Sequence, residues 1–233
     1  MATASAKIRV IQSGIVTPDD VTVGYVRGAD DSLGLALTQL GVAHSELAPD
    51  YIRSGDLSRF DCVLIDRRAY HLRPELAKSK KRLLEYVERG GALAVFSQKP
   101  ADWNAGLFRP LLAPYPLRLS DNRLTAEESP VKILNPDHPL MSKPNQITER
   151  DFAGWVRERA DYLPGEWAAE YTPLLESFKP GEPPSKGGLL AARCGKGYYV
   201  YTSYSWNRQL RAVNLGAYRM LANLVSLSKT ARQ

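Results

Sequence analysis

The sequence predicts an α/β fold built on a doubly wound, mainly parallel sheet, and three observations carry that expectation. Residues Arg82 to Lys99 run from the end of an amphipathic helix through Gly90-Gly91 into the wholly apolar Ala92–Phe96, then out to Ser97-Gln98-Lys99. Glycine takes the left-handed helix-stop conformation without a Cβ penalty, and a short strand with no polar face is the kind buried on both sides of a parallel sheet. A second such strand, Cys62-Val63-Leu64-Ile65, precedes that helix. Between Val21 and Phe96, strand-patterned and helix-patterned segments alternate, as helices covering both faces of a parallel sheet require. In such sheets ligands bind in the turns that leave the carboxyl ends of the strands.

Taken in order, residues 1–20 read as a lead-in: Lys7–Gln12 alternates weakly, as an edge strand would, and Ser13–Asp20 is a loop. Val21–Val26 is the first strong strand. Asp30 or Asp31 caps a helix whose Leu33, Leu37 and Leu40 share a face and which stops at Gly41. Val42–Leu47 is a strand, Asp56–Phe60 a helical turn, and Asp61–Asp66 a strand. Pro74 suits the first turn of a helix carrying Leu76, Leu83, Leu84 and Val87. Beyond Pro100, prolines and turn dipeptides dominate, with strand-like runs at Leu117–Leu119 and Val131–Leu134. Thr148-Glu149-Arg150-Asp151 matches a capping box, predicting a helix with Phe152, Trp155 and Val156. Thr172–Phe178 is a strand; Leu189–Arg193 and Tyr198–Thr202 flank a glycine-rich hairpin turn; Leu215–Leu227 is a closing helix. The expectation is a single domain over residues 21–228 and a short tail at 229–233.

Composition excludes several classes. The formal charge is +6, but its densest cluster, Lys78, Lys80, Lys81 and Arg82, lies on the polar face of the predicted helix. That is a solvated face rather than a nucleic-acid site. No apolar run approaches the ~18 residues of a membrane span, and residues 1–6 lack the apolar core of a signal peptide, so a soluble protein is expected. Cys62 and Cys194 form neither a metal spacing nor a disulfide framework, and His44, His71 and His138 share no ligand spacing. No metal or cofactor is expected.

Several strings together resemble a known family. They are Val23-Gly24-Tyr25-Val26-Arg27-Gly28-Ala29-Asp30-Asp31, Ser54–Asp61, Arg68-Ala69-Tyr70 and Leu84–Gly91, then Asp137–Leu140, Asn145–Thr148, Asp151–Trp155 with Glu158-Arg159, Tyr171–Leu175 and Gly195–Thr202. This set resembles a flavodoxin-like, class I glutamine amidotransferase-like domain, of the kind found at the C-terminal end of some PIG-L (LmbE-like) deacetylase family proteins. It is more distantly similar to the ThuA-like branch. The resemblance implies a companion domain to a sugar-modifying deacetylase. It does not carry over the deacetylase activity, whose zinc site needs His-Pro-Asp-Asp where this chain has Thr17-Pro18-Asp19-Asp20.

Amidotransferases of this fold use a cysteine in the turn after the central strand, with a histidine oriented by a glutamate. Here that turn holds Ser97-Gln98-Lys99, and no histidine follows His138, so the Cys-His-Glu triad is absent and glutaminase activity is not expected. What remains is a candidate crevice: Asp66, Arg68 and Tyr70 leaving one strand, Gln98, Lys99 and Trp103 leaving the next, Asp151 and Trp155 from the capped helix, and Trp206 and Arg208 from the loop after the last strand. Flat aromatics beside such polar groups suit carbohydrate, since a ring stacks on C–H faces while neighbours take the hydroxyls. The competing reading, favoured for Trp155 and Trp167, makes the tryptophans core and Arg68 a loop-pinning salt bridge. An enzyme reading, ThuA-like or hydrolase, would use Ser97, His71 and Asp66, although Ser97 lacks the flanking glycines of a nucleophile elbow.

Overall fold

The computed structural model describes residues 14–17, 19–104, 111–179 and 181–230. The predicted strand at Lys7–Gln12 lies outside them, as do residues 231–233 of the tail expected at 229–233, whose first two residues belong instead to the last helix. Strand β1 (Thr22–Val26) leads to helix α1 (Ser32–Gln39) and strand β2 (Ala43–Glu46). Helix α2 (Pro49–Ser54) and a 3₁₀ turn at Leu57–Arg59 precede β3 (Cys62–Ile65). A short α3 (Ala69–Leu72) comes first, and the single helix expected from Pro74 is two, α4 (Glu75–Lys78) with Pro74 as its N-cap and α5 (Lys80–Glu88), because the chain turns at Ser79. Then come β4 (Ala92–Phe96) and α6 (Pro100–Trp103).

The second half supplies β5 (Leu117–Leu119), β6 (Val131–Ile133), α7 (Pro139–Ser142), β7 (Pro164–Trp167), β8 (Thr172–Pro173), β9 (Leu175–Ser177), β10 (Leu189–Cys194), β11 (Gly197–Thr202), α8 (Trp206–Arg211) and α9 (Leu215–Thr230). The main sheet has the order β2-β1-β3-β4-β11-β10-β8, parallel from β2 to β11 and antiparallel at β10 and β8. All of β3 and β4 is buried, as their apolar sequences require. Alternate side chains feed two cores. On one face Cys62, Leu64, Ala94 and Phe96 meet α1 and α9; on the other Val63, Ile65, Leu93 and Val95 meet α5 and Trp103.

Two expectations are corrected here. The capping box at Thr148 and Asp151 forms, but it starts only a 3₁₀ turn, Glu149–Phe152: Ala153 is extended and Gly154 takes φ +68°, so Trp155 lies beyond any helix. Thr172–Phe178 is split between β8 and β9, which join different sheets, with Leu174 N–H donating to Leu189 C=O between them.

Candidate functional site at the carboxyl edge of the sheet

The turns after β1, β3, β4 and β11 meet at the carboxyl edge, and their backbone is tightly tied. Gly28 N–H donates to Asp66 Oδ2 at 3.2 Å, and Ala29 N–H to Arg67 C=O at 3.1 Å. A Cβ at residue 28 would lie 2.0 Å from that carbonyl oxygen, so only glycine lets the β1 turn close over the β3 turn.

Gln98 brackets the turns after β3 and β4. Its Nε2 donates to Asp66 C=O at 2.9 Å and to Phe96 C=O at 2.5 Å, its Oε1 accepts from Tyr70 N–H at 3.0 Å, and its own N–H donates to Tyr201 Oη at 3.3 Å. Both amide hydrogens and the amide oxygen are therefore engaged, and the side chain is buried. The sequence places Gln98 and Tyr70 in a ligand crevice; the structure makes both parts of the frame. Tyr70 is buried against Trp103.

The three tryptophans named for the crevice are core, which for Trp155 is the reading the sequence favours. Trp103 packs between Tyr70 and Tyr201 with its Nε1–H on Leu117 C=O at 2.9 Å. Trp155 donates to Asp151 C=O, and Trp206, on α8 rather than in a loop, donates to Thr202 Oγ1 and meets Phe96 edge-on. Each is at most 2 % exposed, so none presents a face to a sugar ring. Asp151 is spent on the capping box and an ion pair with Arg219, and Arg208, also on α8, pairs with Glu158 at 2.7 Å.

Ser97 occupies the place where the resemblance puts the nucleophile. It is 2 % exposed and its Oγ donates to Asp161 C=O at 3.5 Å. It is absent from the residues with positive φ; the left-handed residue is Arg68, one strand over, at φ +59°. His71 Nδ1 is engaged with Asp102 Oδ1 at 3.0 Å, and the hydrogen bond of Ser97 Oγ goes to Asp161 C=O rather than to His71. Both cysteines are buried free thiols, pushed towards the neutral form by burial.

Asp66 is the chemically unusual group. Burial pushes its pKa up to about 7, against the two backbone N–H bonds from Arg67 and Gly28 that favour the carboxylate. Beside it Arg67 reaches Asp161 Oδ2 through Nε at 3.1 Å and Nη2 at 2.6 Å, a largely buried pair that ties β3 to the second half of the chain. Sequence patterns do not announce this latch, because its partners stand 94 residues apart and no local spacing links them. Arg68 and Lys99 are half-buried and make no side-chain hydrogen bond or ion pair among the described residues; Arg68 Nε is buried. The loop-pinning salt bridge that the competing reading assigns to Arg68 is made by Arg67 instead.

Among the described residues no helix is long and apolar enough to cross a membrane, and no group of three or more His, Cys, Asp or Glu is placed to hold a metal ion. A cleft of about 340 Å³ lined by Asp56, Phe60, Arg82 and Tyr86 lies at the opposite, amino-terminal edge of the strands.

No protein-family model matches the chain, and no curated protein matches it significantly in sequence. Solved structures do match. A candidate GMP synthase component from Thermoplasma acidophilum superposes with a TM-score of 0.55 at 10% identity, covering 91% of this chain and 96% of that one. A cytoplasmic protein of Salmonella typhimurium LT2 gives 0.57 at 12% identity over 88% and 98% of the two chains. A cold-adapted β-galactosidase from a Rahnella species gives 0.54 at 14% identity over 91% of this chain but 32% of its own, so this chain spans about a third of that enzyme. At these identities the likeness concerns the fold alone, which is an α/β fold with a mainly parallel central sheet of the class I glutamine amidotransferase-like kind.

Proposed function

We propose that residues 21–228 form a single, catalytically silent amidotransferase-like domain that works by binding, as the companion of a sugar-modifying enzyme such as a deacetylase. The observation that carries this reading is Ser97. At the position of the nucleophile there is a buried hydroxyl, bonded to a carbonyl, with an ordinary backbone and no histidine paired with it among the described residues. The match to a third of a β-galactosidase supports the companion role, since there the same fold is one part of a larger carbohydrate enzyme. A direct carbohydrate ligand through the aromatic crevice has less support, because Trp103, Trp155 and Trp206 are internal.

The test is turnover by the purified chain: ammonia release from glutamine, and hydrolysis of p-nitrophenyl esters and glycosides, beside Ser97→Ala. The expected result is background for both proteins. Turnover that disappears in Ser97→Ala would overturn the silent reading in favour of a hydrolase.

A further inference from the structure

Most arginines near the carboxyl edge are paired. Arg27 pairs with Glu46, Arg67 with Asp161, Arg208 with Glu158 and Arg211 with Asp31. Among the described residues Arg68 has no carboxylate, and neither has Lys99, which leaves the adjacent strand. The two turns are joined directly, Arg68 N–H donating to Ser97 C=O at 3.0 Å, two residues before Lys99. They are joined again where His71, one turn after Arg68, meets Asp102, three residues after Lys99. Two half-buried cations are thus held on neighbouring turns of a rigid frame. A buried guanidinium N–H without an acceptor is costly, and Lys99 on the adjoining turn offers a second positive charge with no carboxylate partner among the described residues. An anion seated at these turns would give the guanidinium its acceptor and the lysine a counter-charge. Arg68 is also held at φ +59°, a conformation unfavourable for any side chain and one that gathers at ligand sites.

We propose that Arg68 and Lys99 form an anion site in the mouth between β3 and β4, which takes the carboxylate or phosphate group of a small acidic ligand such as a uronate or a sugar phosphate. Arginine supplies a planar fork for two oxygens of the anion, and lysine a point charge. The proposal rests on the binding reading of this crevice and replaces a neutral sugar, which would need the buried tryptophans, with an anionic one.

Isothermal titration calorimetry on the purified chain with D-glucuronate, D-glucose 6-phosphate and D-glucose tests it. Saturable binding of at least one anion is expected, weakened by at least about tenfold in Arg68→Gly and in Lys99→Gln, and absent with glucose. The preferred anion tells carboxylate from phosphate. Arg68→Gly is chosen because glycine accepts φ +59°, and an unchanged or higher melting temperature checks its fold; Arg68→Lys keeps the charge and should retain part of the affinity. Neither anion binding up to about 10 mM, equal binding of glucose, or affinity untouched by Arg68→Gly would each overturn the site. Its failure leaves Ser97 as silent as before, whereas turnover lost in Ser97→Ala removes the silent reading whatever the anions do.

Discussion

The turns after β3 and β4 leave neighbouring parallel strands at the same edge, yet they are built in opposite ways. The β4 turn is relaxed and inward: Ser97 and Gln98 are buried and bonded, and Trp103 follows as core. The β3 turn is strained: Arg68 is left-handed and its guanidinium has no partner among the described residues, while the buried Asp66 beside it resists ionisation. The left-handed residue of this edge thus follows β3, while the turn after β4, where the resemblance puts the nucleophile, holds a buried, bonded hydroxyl.

Perturbing the inward turn should cost most. Trp103→Ala removes a fully buried indole wedged between two tyrosines and is expected to lower unfolding free energy by about 3–5 kcal/mol in urea titrations. A loss below about 1 kcal/mol would mean that the indole does not carry the core and is free for a ligand.

Asp66 sharpens the contrast through pH. Its folded-state pKa of about 7 lies above the value of about 3.9 expected in the unfolded chain. Between those limits the folded protein keeps a proton that the unfolded chain has released, so stability falls as pH rises through that window and levels off above it. Relative to Asp66→Asn, the native protein should lose about 3 kcal/mol between pH 4 and 7, close to 1.4 kcal/mol per pH unit at the steepest. Parallel stability curves for the two proteins would show that Asp66 ionises freely. Smaller again, Gln98→Ala should cost about 2 kcal/mol, because it strands the buried Tyr70 N–H and the Asp66 carbonyl; the same urea titration reads it.

How much of this is legible in the sequence depends on range. β1, β3, β4 and the β10–β11 hairpin are spelled out locally, by apolar runs and glycine punctuation, and they form where the patterns place them. The α8 helix reads as loop, since Trp206-Asn207-Arg208-Gln209 has too few turns for a helical period to register. The residue types at the site are visible, but their direction is not. Whether Trp206 faces a ligand or Phe96 is decided by Thr202 and α8, and whether Arg67 or Arg68 takes the carboxylate is decided by Asp161, far along the chain. Arg159 is similar: a buried guanidinium bracing Ser129 C=O and Phe152 C=O, with nothing in its own neighbourhood to announce it.

The smallest effect is the most discriminating, because its sign should differ between the two turns. Glycine at residue 68 relieves a left-handed backbone that costs a side-chain-bearing residue about 1–2 kcal/mol, while adding unfolded-chain entropy of about 0.5–1 kcal/mol. Arg68→Gly should therefore leave stability unchanged or raise it by up to about 1 kcal/mol. Ser97 has no such strain to release, so Ser97→Gly gains only the entropy penalty and loses the bond to Asp161 C=O, a fall of about 1–2 kcal/mol. Midpoints of thermal unfolding moving apart, up at residue 68 and down at residue 97, would locate the strain after β3. Were both to fall together, the β3 turn would be as relaxed as its neighbour, and the backbone argument for a ligand at Arg68 would lose its footing while the unpaired charge remained.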